Sequence, residues 1–317
     1  MILTLTPNPS IDRTVTLAGK LQPGGVQRVD SVTDQEGGKG VNISRASVRA
    51  AIPSIAVLPA AKDDPFVIGL LSAGIDCRPV RPAGPVRMNI TITEPDGTTT
   101  KLNSPGAVVG PEHLEAMAEA VLARASSSEW VVLAGSLPAG APATFYADLV
   151  HRLHQTGAQV AVDTSDAPLT ALVAALPESA PTLMKPNAEE LGSFTGAHPA
   201  DLETDPAHAA AAAQQLVDQG VGAVLATLGP HGAVLVTEAG AWHASPVPVT
   251  VVSTVGAGDS SLFGYLLGDI RGLSEPDRLA LAMAYGSAAA ALPGTTIPTP
   301  DQVQPELVTV TALGGTT

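Results

Sequence analysis

Residues 251–266 read Val251-Val252-Ser253-Thr254-Val255-Gly256-Ala257-Gly258-Asp259-Ser260-Ser261-Leu262-Phe263-Gly264-Tyr265-Leu266. A β-branched run gives way to small residues, then to an acid, then to an apolar segment that continues as a helix. Backbone N–H groups at such an entrance stand uncovered at the positive end of a helix and approach an anion closely. An acid at the end of this nest adds like charge, so Asp259 makes little sense as a neighbour of a bound phosphate. It suits a general base that takes the proton of a hydroxyl attacking a phosphoryl group. By itself the stretch is equally a glycine-rich turn with Asp259 capping the helix.

Outward from this stretch, three other turns carry chemistry-bearing residues. Lys185-Pro186-Asn187-Ala188-Glu189-Glu190-Leu191 places Asn187 and Glu190 three apart, on one face of a helix. Oxygen ligands of that kind suit Mg²⁺, and the same spacing is a capping box. Gly37-Gly38-Lys39-Gly40-Val41-Asn42 opens a helix running to about Ala51. Its glycines admit a close ligand and Lys39 offers a point charge. It lacks the glycine spacing and the Lys-Ser/Thr pair of a Walker A loop. Thr227-Leu228-Gly229-Pro230-His231-Gly232 closes one strand and turns back into Ala233–Val236.

Between these turns, apolar runs recur at Ile2–Leu5, Ile55–Leu58, Trp130–Leu133, Val160–Val162, Thr182–Met184, Ala223–Leu228 and Val234–Val236. Helical patterns separate several of them. Glu112–Arg124 carries Leu114, Met117, Ala118, Val121 and Leu122 on one face, with Pro111 at its start; Ala207–Gln219 and Glu275–Leu292 are two more. Alternating buried strands and helices predict βαβ units and a mostly parallel sheet. Two segments break the rhythm with period-two patterns, Ile11–Val32 and Val86–Leu102, the latter around the turn Pro95-Asp96-Gly97. They predict a small antiparallel excursion. The tail after Pro298 carries no motif and reads as loose.

The chain of 317 residues is 45% hydrophobic and 15% charged, so it has ample material for a core. Its net charge of −14, with no compensating Lys/Arg run, argues against nucleic acid and anionic membranes as partners. With aromatics at 3%, a stacked aromatic cage is not the main recognition device. The lone Cys77 supports no disulfide framework, and the histidines show no zinc-ligand spacing. The N-terminus reads as no signal peptide and no apolar stretch is long enough for a bilayer, so a cytoplasmic location is expected.

Taken in order, these motifs closely resemble the ribokinase-like phosphofructokinase-B family of carbohydrate kinases. Thr4-Leu5-Thr6-Pro7-Asn8-Pro9-Ser10-Ile11-Asp12 is similar to the family's opening strand and Gly37–Asn42 to its first signature. Gly135-Ser136-Leu137-Pro138 is similar to its mid-chain turn, Lys185-Pro186-Asn187 with Glu190 to its magnesium-linked motif, and Ser253–Ser260 to its second signature. The likeness runs to about Pro300. Val251–Ser260, together with Asp96-Gly97 followed by Leu102-Asn103-Ser104-Pro105-Gly106, resembles the branch that phosphorylates fructose 1-phosphate. Members acting on tagatose 6-phosphate share most of these features.

The resemblance implies an α/β fold, a three-layer α/β/α sandwich with a mostly parallel central sheet and a small β lid. One kinase domain would span residues 1–317, its lid formed by about 12–34 and 86–104. It implies ATP and Mg²⁺. Asp259 would be the base, with Gly256, Ala257 and Gly258 stabilising the transferred phosphoryl group. Asn187 and Glu190 would act on magnesium, with Asp163 a further candidate. Lys185 would reach the nucleotide phosphates; Thr227, Gly229, Gly232 and Gly258 would line the nucleotide side, with Ser253 and Val255 near the base. Asp12, Gly38, Lys39 and Asn42 would hold the sugar, and Arg87 would join Lys39 at its existing phosphate. The lid would pair subunits in a homodimer.

Three positions depart from the family pattern: Phe263 in place of a small residue, Ala60-Ala61-Lys62-Asp63 in place of a glycine-bearing turn, and Thr91 where many members of the branch carry Lys. The expected reaction is transfer from ATP to the 6-hydroxyl of fructose 1-phosphate, giving fructose 1,6-bisphosphate and ADP. Tagatose 6-phosphate and fructose 6-phosphate are the alternative acceptors. A non-catalytic nucleotide-binding regulator is disfavoured by the intact base, nest and Asn187/Glu190 pair. A dinucleotide oxidoreductase is disfavoured because no G-x-G-x-x-G follows the first strand.

Overall fold

All seven apolar runs enter one sheet. The structure, a computed structural model, describes residues 1–314. In chain order its elements begin β1 (Ile2–Leu5), β2 (Ser10–Leu17), β3 (Val29–Gly37), α1 (Lys39–Arg49), β4 (Ser54–Pro59), α2 (Pro65–Ser72), β5 (Asp76–Val80), β6 (Arg87–Thr93) and β7 (Thr99–Asn103). The middle comprises α3 (Pro111–Ala125), β8 (Trp130–Ala134), α4 (Phe145–Leu153), β9 (Gln159–Asp163), α5 (Asp166–Ala174), β10 (Leu183–Met184), α6 (Ala188–Thr195), α7 (Pro199–Thr204) and α8 (Pro206–Val217). The last part comprises β11 (Ala223–Thr227), β12 (Ala233–Thr237), β13 (Gly240–Ala244), α9 (Ala257–Ile270), α10 (Glu275–Ala290) and β14 (Val310–Leu313).

The large sheet has ten strands in the order β14-β13-β12-β11-β10-β9-β8-β1-β4-β5. From β11 to β5 the pairs are parallel, and β12, β13 and β14 add antiparallel at one edge. Successive side chains of a strand face opposite layers. Val131 and Leu133 pack with Met117 and Leu149 on one side, whereas Trp130 and Val132 pack with Leu262 and Leu266 on the other. Helices α3–α8 therefore cover one face and α1, α9 and α10 the other, the expected three layers.

The sequence reading needs correction in two places. The tail after Pro298 is not loose: short 3₁₀ turns lead to β14, which pairs with β13. Nor is the small sheet wholly antiparallel. Its order is β3-β2-β6-β7, and the central β2–β6 pair is parallel, with antiparallel strands outside it. Period-two alternation marks a strand without naming its partner, and paired residues of these two strands lie 77 positions apart in sequence. The sheet also extends beyond Val32, because β3 runs on to Gly37 and delivers the chain into α1.

Two family departures are absorbed locally. Phe263 is fully buried and stands edge-on to Tyr285, with ring centroids 5.1 Å apart. At the Ala60–Asp63 turn, Ala60 is buried and the next residue, Asp64, caps α2 through the Phe66 N–H at 2.9 Å.

Candidate active site

The C-terminal ends of the parallel strands converge where α1 and α9 begin, as is usual for ligand sites in such sheets. Gly38 is the residue before α1, at φ 120, and a Cβ there would lie 2.6 Å from Thr6 Cγ2. Only glycine can bring this turn down onto the end of β1. One turn into α1, Asn42 donates from Nδ2 to Asp259 Oδ2 at 2.8 Å. Asp259 is the third residue of α9, behind Gly256 in a left-handed conformation. It is therefore embedded in the first turn, where N–H groups have no intrahelical acceptor. Gly256, Ala257 and Gly258 form the rim of that turn.

Asp259 is 7% exposed. Burial pushes its carboxyl up, and the negative charge of Asp163 adds to the shift. Lys39, the Asn42 amide and Lys185 pull the other way without cancelling it, leaving a pKa of about 6. A base tuned close to neutrality combines an ionised resting state with a useful proton affinity.

Beside it, at the end of β9, Asp163 is buried between two ammonium groups: Lys39 Nζ at 2.6 Å and Lys185 Nζ at 3.2 Å. Burial alone would raise Asp163, but Lys185 and Lys39 outweigh it and hold the carboxyl below its ordinary value. For Lys39, burial acts downward and the pull of Asp163 and Asp259 prevails, so its ammonium is held above its usual range. Lys39 thus differs from the expectation that it would join Arg87 at a sugar phosphate. It is the first residue of α1, on the body of the fold, and its head turns to Asp163 and the base. Arg87 starts β6 and donates to the Ser104 carbonyl at 2.9 Å; burial lowers its guanidinium from its usual range, and the negative charge of Asp12 partly offsets this.

The Asn187–Glu190 motif forms a reciprocal capping box at the start of α6. Glu190 N–H donates to Asn187 Oδ1 at 2.8 Å, and Asn187 N–H donates to Glu190 Oε2 at 2.9 Å. Burial and the nearby Asp163 leave Glu190 above the usual carboxylate range despite Asn187 and the two lysines. Among the described residues no group of three or more His, Cys, Asp or Glu is arranged to hold a metal ion. Asp163 is committed to its lysines. The donor set therefore fits an ion carried by nucleotide phosphates and water, with Glu190 supplying a carboxylate, as Mg²⁺ favours.

A cleft of about 740 Å³ opens beside the nest. Asn187, Thr227, Gly229 and Gly232 line one wall and Ala257 and Gly258 the floor. Ser253 and Val255 flank the wall residue Thr254, and Ser253 Oγ accepts from Val255 N–H at 3.2 Å. Lys185 meets the cleft floor from behind: a Cβ on Gly258 would lie 3.3 Å from its Nζ. The far wall, Val247, Pro248 and Val249 with Met283, Gly286 and Ala290 of α10, was not marked as part of a site in the sequence because plain apolar residues carry no chemical signature.

Across from the nest stands the small sheet. Asp12 on β2 faces Asn89 on β6 and Gln35 on β3 in register. Ser10 Oγ donates to Asp12 Oδ1 at 2.8 Å, and Asn89 Nδ2 donates to the same oxygen at 3.1 Å. Gln35 Nε2 reaches the Thr295 carbonyl, 3.4 Å away, on the loop after α10. That contact ties the small sheet to this loop. Asn89 and Gln35 escaped the sequence reading. Alternation places Asn89 on the same face as Arg87, and that was the signal for it.

The model of the pfkB family of carbohydrate kinases matches residues 6–302. A 1-phosphofructokinase of Xanthomonas campestris is 37% identical over 288 residues, covering 89% of this chain and 89% of that protein. A 1-phosphofructokinase of Rhodobacter capsulatus is 35% identical, covering 98% and 96%. Among solved structures, Escherichia coli phosphofructokinase-2 in complex with substrates and products superposes with a TM-score of 0.85 at 30% identity, covering 95% of this chain and 96% of that one.

Proposed function

This chain belongs to the pfkB family of carbohydrate kinases, and from that membership we propose that it transfers the γ-phosphoryl group of ATP to the 6-hydroxyl of fructose 1-phosphate. The observation that carries the reading is the buried Asp259 carboxylate, held by Asn42 at the N-terminus of α9 between a nucleotide-sized cleft and a polar sheet. The choice of sugar follows the 1-phosphofructokinases that resemble the chain over about nine-tenths of its length or more.

The sugar lies between the small sheet and α1, its ring against Asp12 and its phosphate toward Arg87. Its free primary hydroxyl points at Asp259. As the hydroxyl oxygen bonds to the γ-phosphorus, its proton passes to the Asp259 carboxylate and the bond to ADP breaks. The N–H groups at Gly256–Gly258 receive the charge on the transferring group. Lys39 and Lys185 offset the charge of Asp163 and the nucleotide. A bound magnesium ion neutralises phosphate charge; Glu190, fixed by Asn187, is the residue that would hold it.

The small sheet acts as a lid within one catalytic unit and keeps water from the phosphoryl donor. Its outer face, opposite to Asp12 and Asn89, carries Val15, Ile90 and Ile92, with Val32 and Leu102 about half exposed. A second copy of the chain covers this stripe in a homodimer. The enzyme works in the cytoplasm; no helix among the described residues is long and apolar enough to cross a membrane.

A coupled ADP-release assay over fructose 1-phosphate, tagatose 6-phosphate, fructose 6-phosphate and free fructose tests the reading. Highest kcat/KM on fructose 1-phosphate is expected. Arg87→Ala should reduce that value by about one to two decades, the worth of one charge-assisted contact, and spare free fructose. Preference for another member of the panel, or no turnover at all, would overturn it.

A further inference from the structure

We propose that Arg45 is a positioning residue for the reaction: acting through the Glu36–Gly37 peptide, it holds the sugar-facing end of the small sheet at a fixed place relative to Asp259; this rests on the kinase reading above. Four connections join the small sheet to the body. β1 runs into β2 through Pro7 and Pro9, β5 into β6 through Pro82 and Pro85, and β7 into α3 through Pro105. Proline rings fix φ and stiffen all three. The fourth, from β3 into α1, is Gly38 alone, at φ 120. Glycine gives this shortest connection the widest conformational freedom, which leaves side-chain contacts to fix the sheet on this side.

Arg45 makes such a contact. It lies on α1, three residues after Asn42, so the two side chains are neighbours on the helix surface. Its Nη2 donates to the Glu36 carbonyl oxygen at 2.7 Å and stands 3.6 Å from the Glu36 carboxylate. The backbone contact is thus the shorter of the two. Arg45 is 13% exposed, and its Nε is enclosed with no hydrogen-bond partner. A guanidinium kept in this condition is costly. For stability alone apolar packing would serve as well; what apolar packing cannot supply is a directed bond to one carbonyl.

That carbonyl belongs to the peptide on which Asp12 is seated, because a Cβ on Gly37 would overlap Asp12 Oδ2. One helix therefore grips both sides of the site, the base through Asn42 and the seat of Asp12 through Arg45. A second tie closes the circuit. One turn beyond Arg45, Arg49 donates to the Ile297 carbonyl, and Gln35, next to Glu36 on β3, donates to the Thr295 carbonyl at 3.4 Å. Thr295 Cα lies 3.8 Å from where a Cβ on Gly256 would stand. β3, α1 and the loop after α10 thus brace one another beside the nest. A sugar held at Asp12 offers its hydroxyl to Asp259 only if the two acids keep a set spacing, and a displacement of about 1 Å costs about 10² in rate.

The test compares wild type with Arg45→Met, Arg45→Lys and Glu36→Gln in the full-length enzyme. For Arg45→Met, kcat/KM for fructose 1-phosphate is expected to fall about 10²-fold, while the KM for ATP stays within about twofold. ADP released per sugar bisphosphate formed should rise above unity, because a displaced sheet admits water to the donor. Arg45→Lys keeps a cation within reach of the carbonyl and should regain about tenfold of the loss; it also carries the test if the methionine variant does not fold. Glu36→Gln keeps the backbone bond and should stay within about fivefold of wild type, the worth of a partly exposed ion pair. A KM shift shared equally with ATP, or a loss in Glu36→Gln as large as that in Arg45→Met, would show a merely structural ion pair and overturn the proposal. Amide hydrogen exchange needs no sugar: residues 33–38 should exchange faster in both Arg45 variants, and unchanged exchange there also overturns it. Failure of the wild type to use fructose 1-phosphate counts against the substrate assigned above and not against Arg45, whose hold on β3 the exchange measurement decides by itself.

Discussion

Replacing Asp259 by asparagine should make the protein more stable and nearly inactive. The stability gain follows from the cost of keeping that carboxylate ionised where it sits. Its pKa is raised from 3.8 to about 6. For an acid raised in the folded state, ionisation opposes folding, so the penalty is absent below the unfolded value and complete above the folded one. A shift of that size corresponds to about 3 kcal/mol at pH 7. Asp259 is 7% exposed, so solvent screening removes little of it. The substitution deletes the charge while its new amide oxygen still accepts from Asn42. It also removes a partner of Lys39, so the expected gain is nearer 1–2 kcal/mol, or ~2–4 °C in Tm for a chain of this size.

The assay is urea unfolding of wild type and Asp259→Asn at pH 7.5 and at pH 4, read against kcat. The gain should be present at pH 7.5 and shrink toward zero at pH 4, because wild-type Asp259 is then protonated in the folded protein. Turnover should fall by about 10²–10⁴. Wild-type kcat/KM should itself decline about tenfold per pH unit below pH 6. A variant that is less stable at pH 7.5, or equally stabilised at both pH values, would refute the electrostatic account. Wild-type kcat in the variant would refute the assignment of the base.

Three other perturbations probe the neighbouring groups. Asp163→Asn leaves Lys185 buried without a full counter-charge and should destabilise by about 3 kcal/mol, the low end for a broken buried pair because Lys39 is partly exposed; equilibrium unfolding at pH 7.5 checks this, and unchanged stability would show that the lysines find other partners. The stabilising effect of Asp163 has the opposite pH sense to that of Asp259, since its pKa is lowered: it should weaken as the pH falls below about 4. Gly286→Ala would set a Cβ 2.1 Å from Ser261 Oγ on the cleft wall, so it should cost about 1–3 kcal/mol and raise the KM for ATP while sparing that for the sugar. Glu190→Gln should move the midpoint of a magnesium titration of activity upward, with the sugar KM little changed; coincident titrations would remove Glu190 from the metal.

The layers of this fold were legible because each main strand announces itself as an apolar run such as Trp130–Leu133, flanked on both faces by buried helices. Edge strands were not. β5 carries Asp76, Arg78 and Pro79, residues that an edge tolerates and a central strand does not, and β13 and β14 bury too little to leave a pattern. The site divides along a similar line. Residues set by local backbone, Gly38 at its positive φ and Gly256–Asp259 at a helix entrance, could be read from their immediate neighbours. Residues set by partners could not. Lys39 sits in a glycine turn that suggests a phosphate, yet its counter-ion is Asp163, 124 positions away.

The same limit explains why the base could be named while its tuning could not. Asp259 is identified by what precedes it in the chain, but its pKa comes from burial, from Lys39 on α1, from Asp163 at the end of β9, and from Asn42. These are contacts between segments far apart in sequence. Sequence periodicity did carry one long-range fact that chemistry-seeking motifs hide. Arg87, Asn89 and Thr91 alternate along β6, so the three share one face of the small sheet. The pleat sets Asn89 on the face of Arg87, and the parallel register sets Asp12 opposite Asn89.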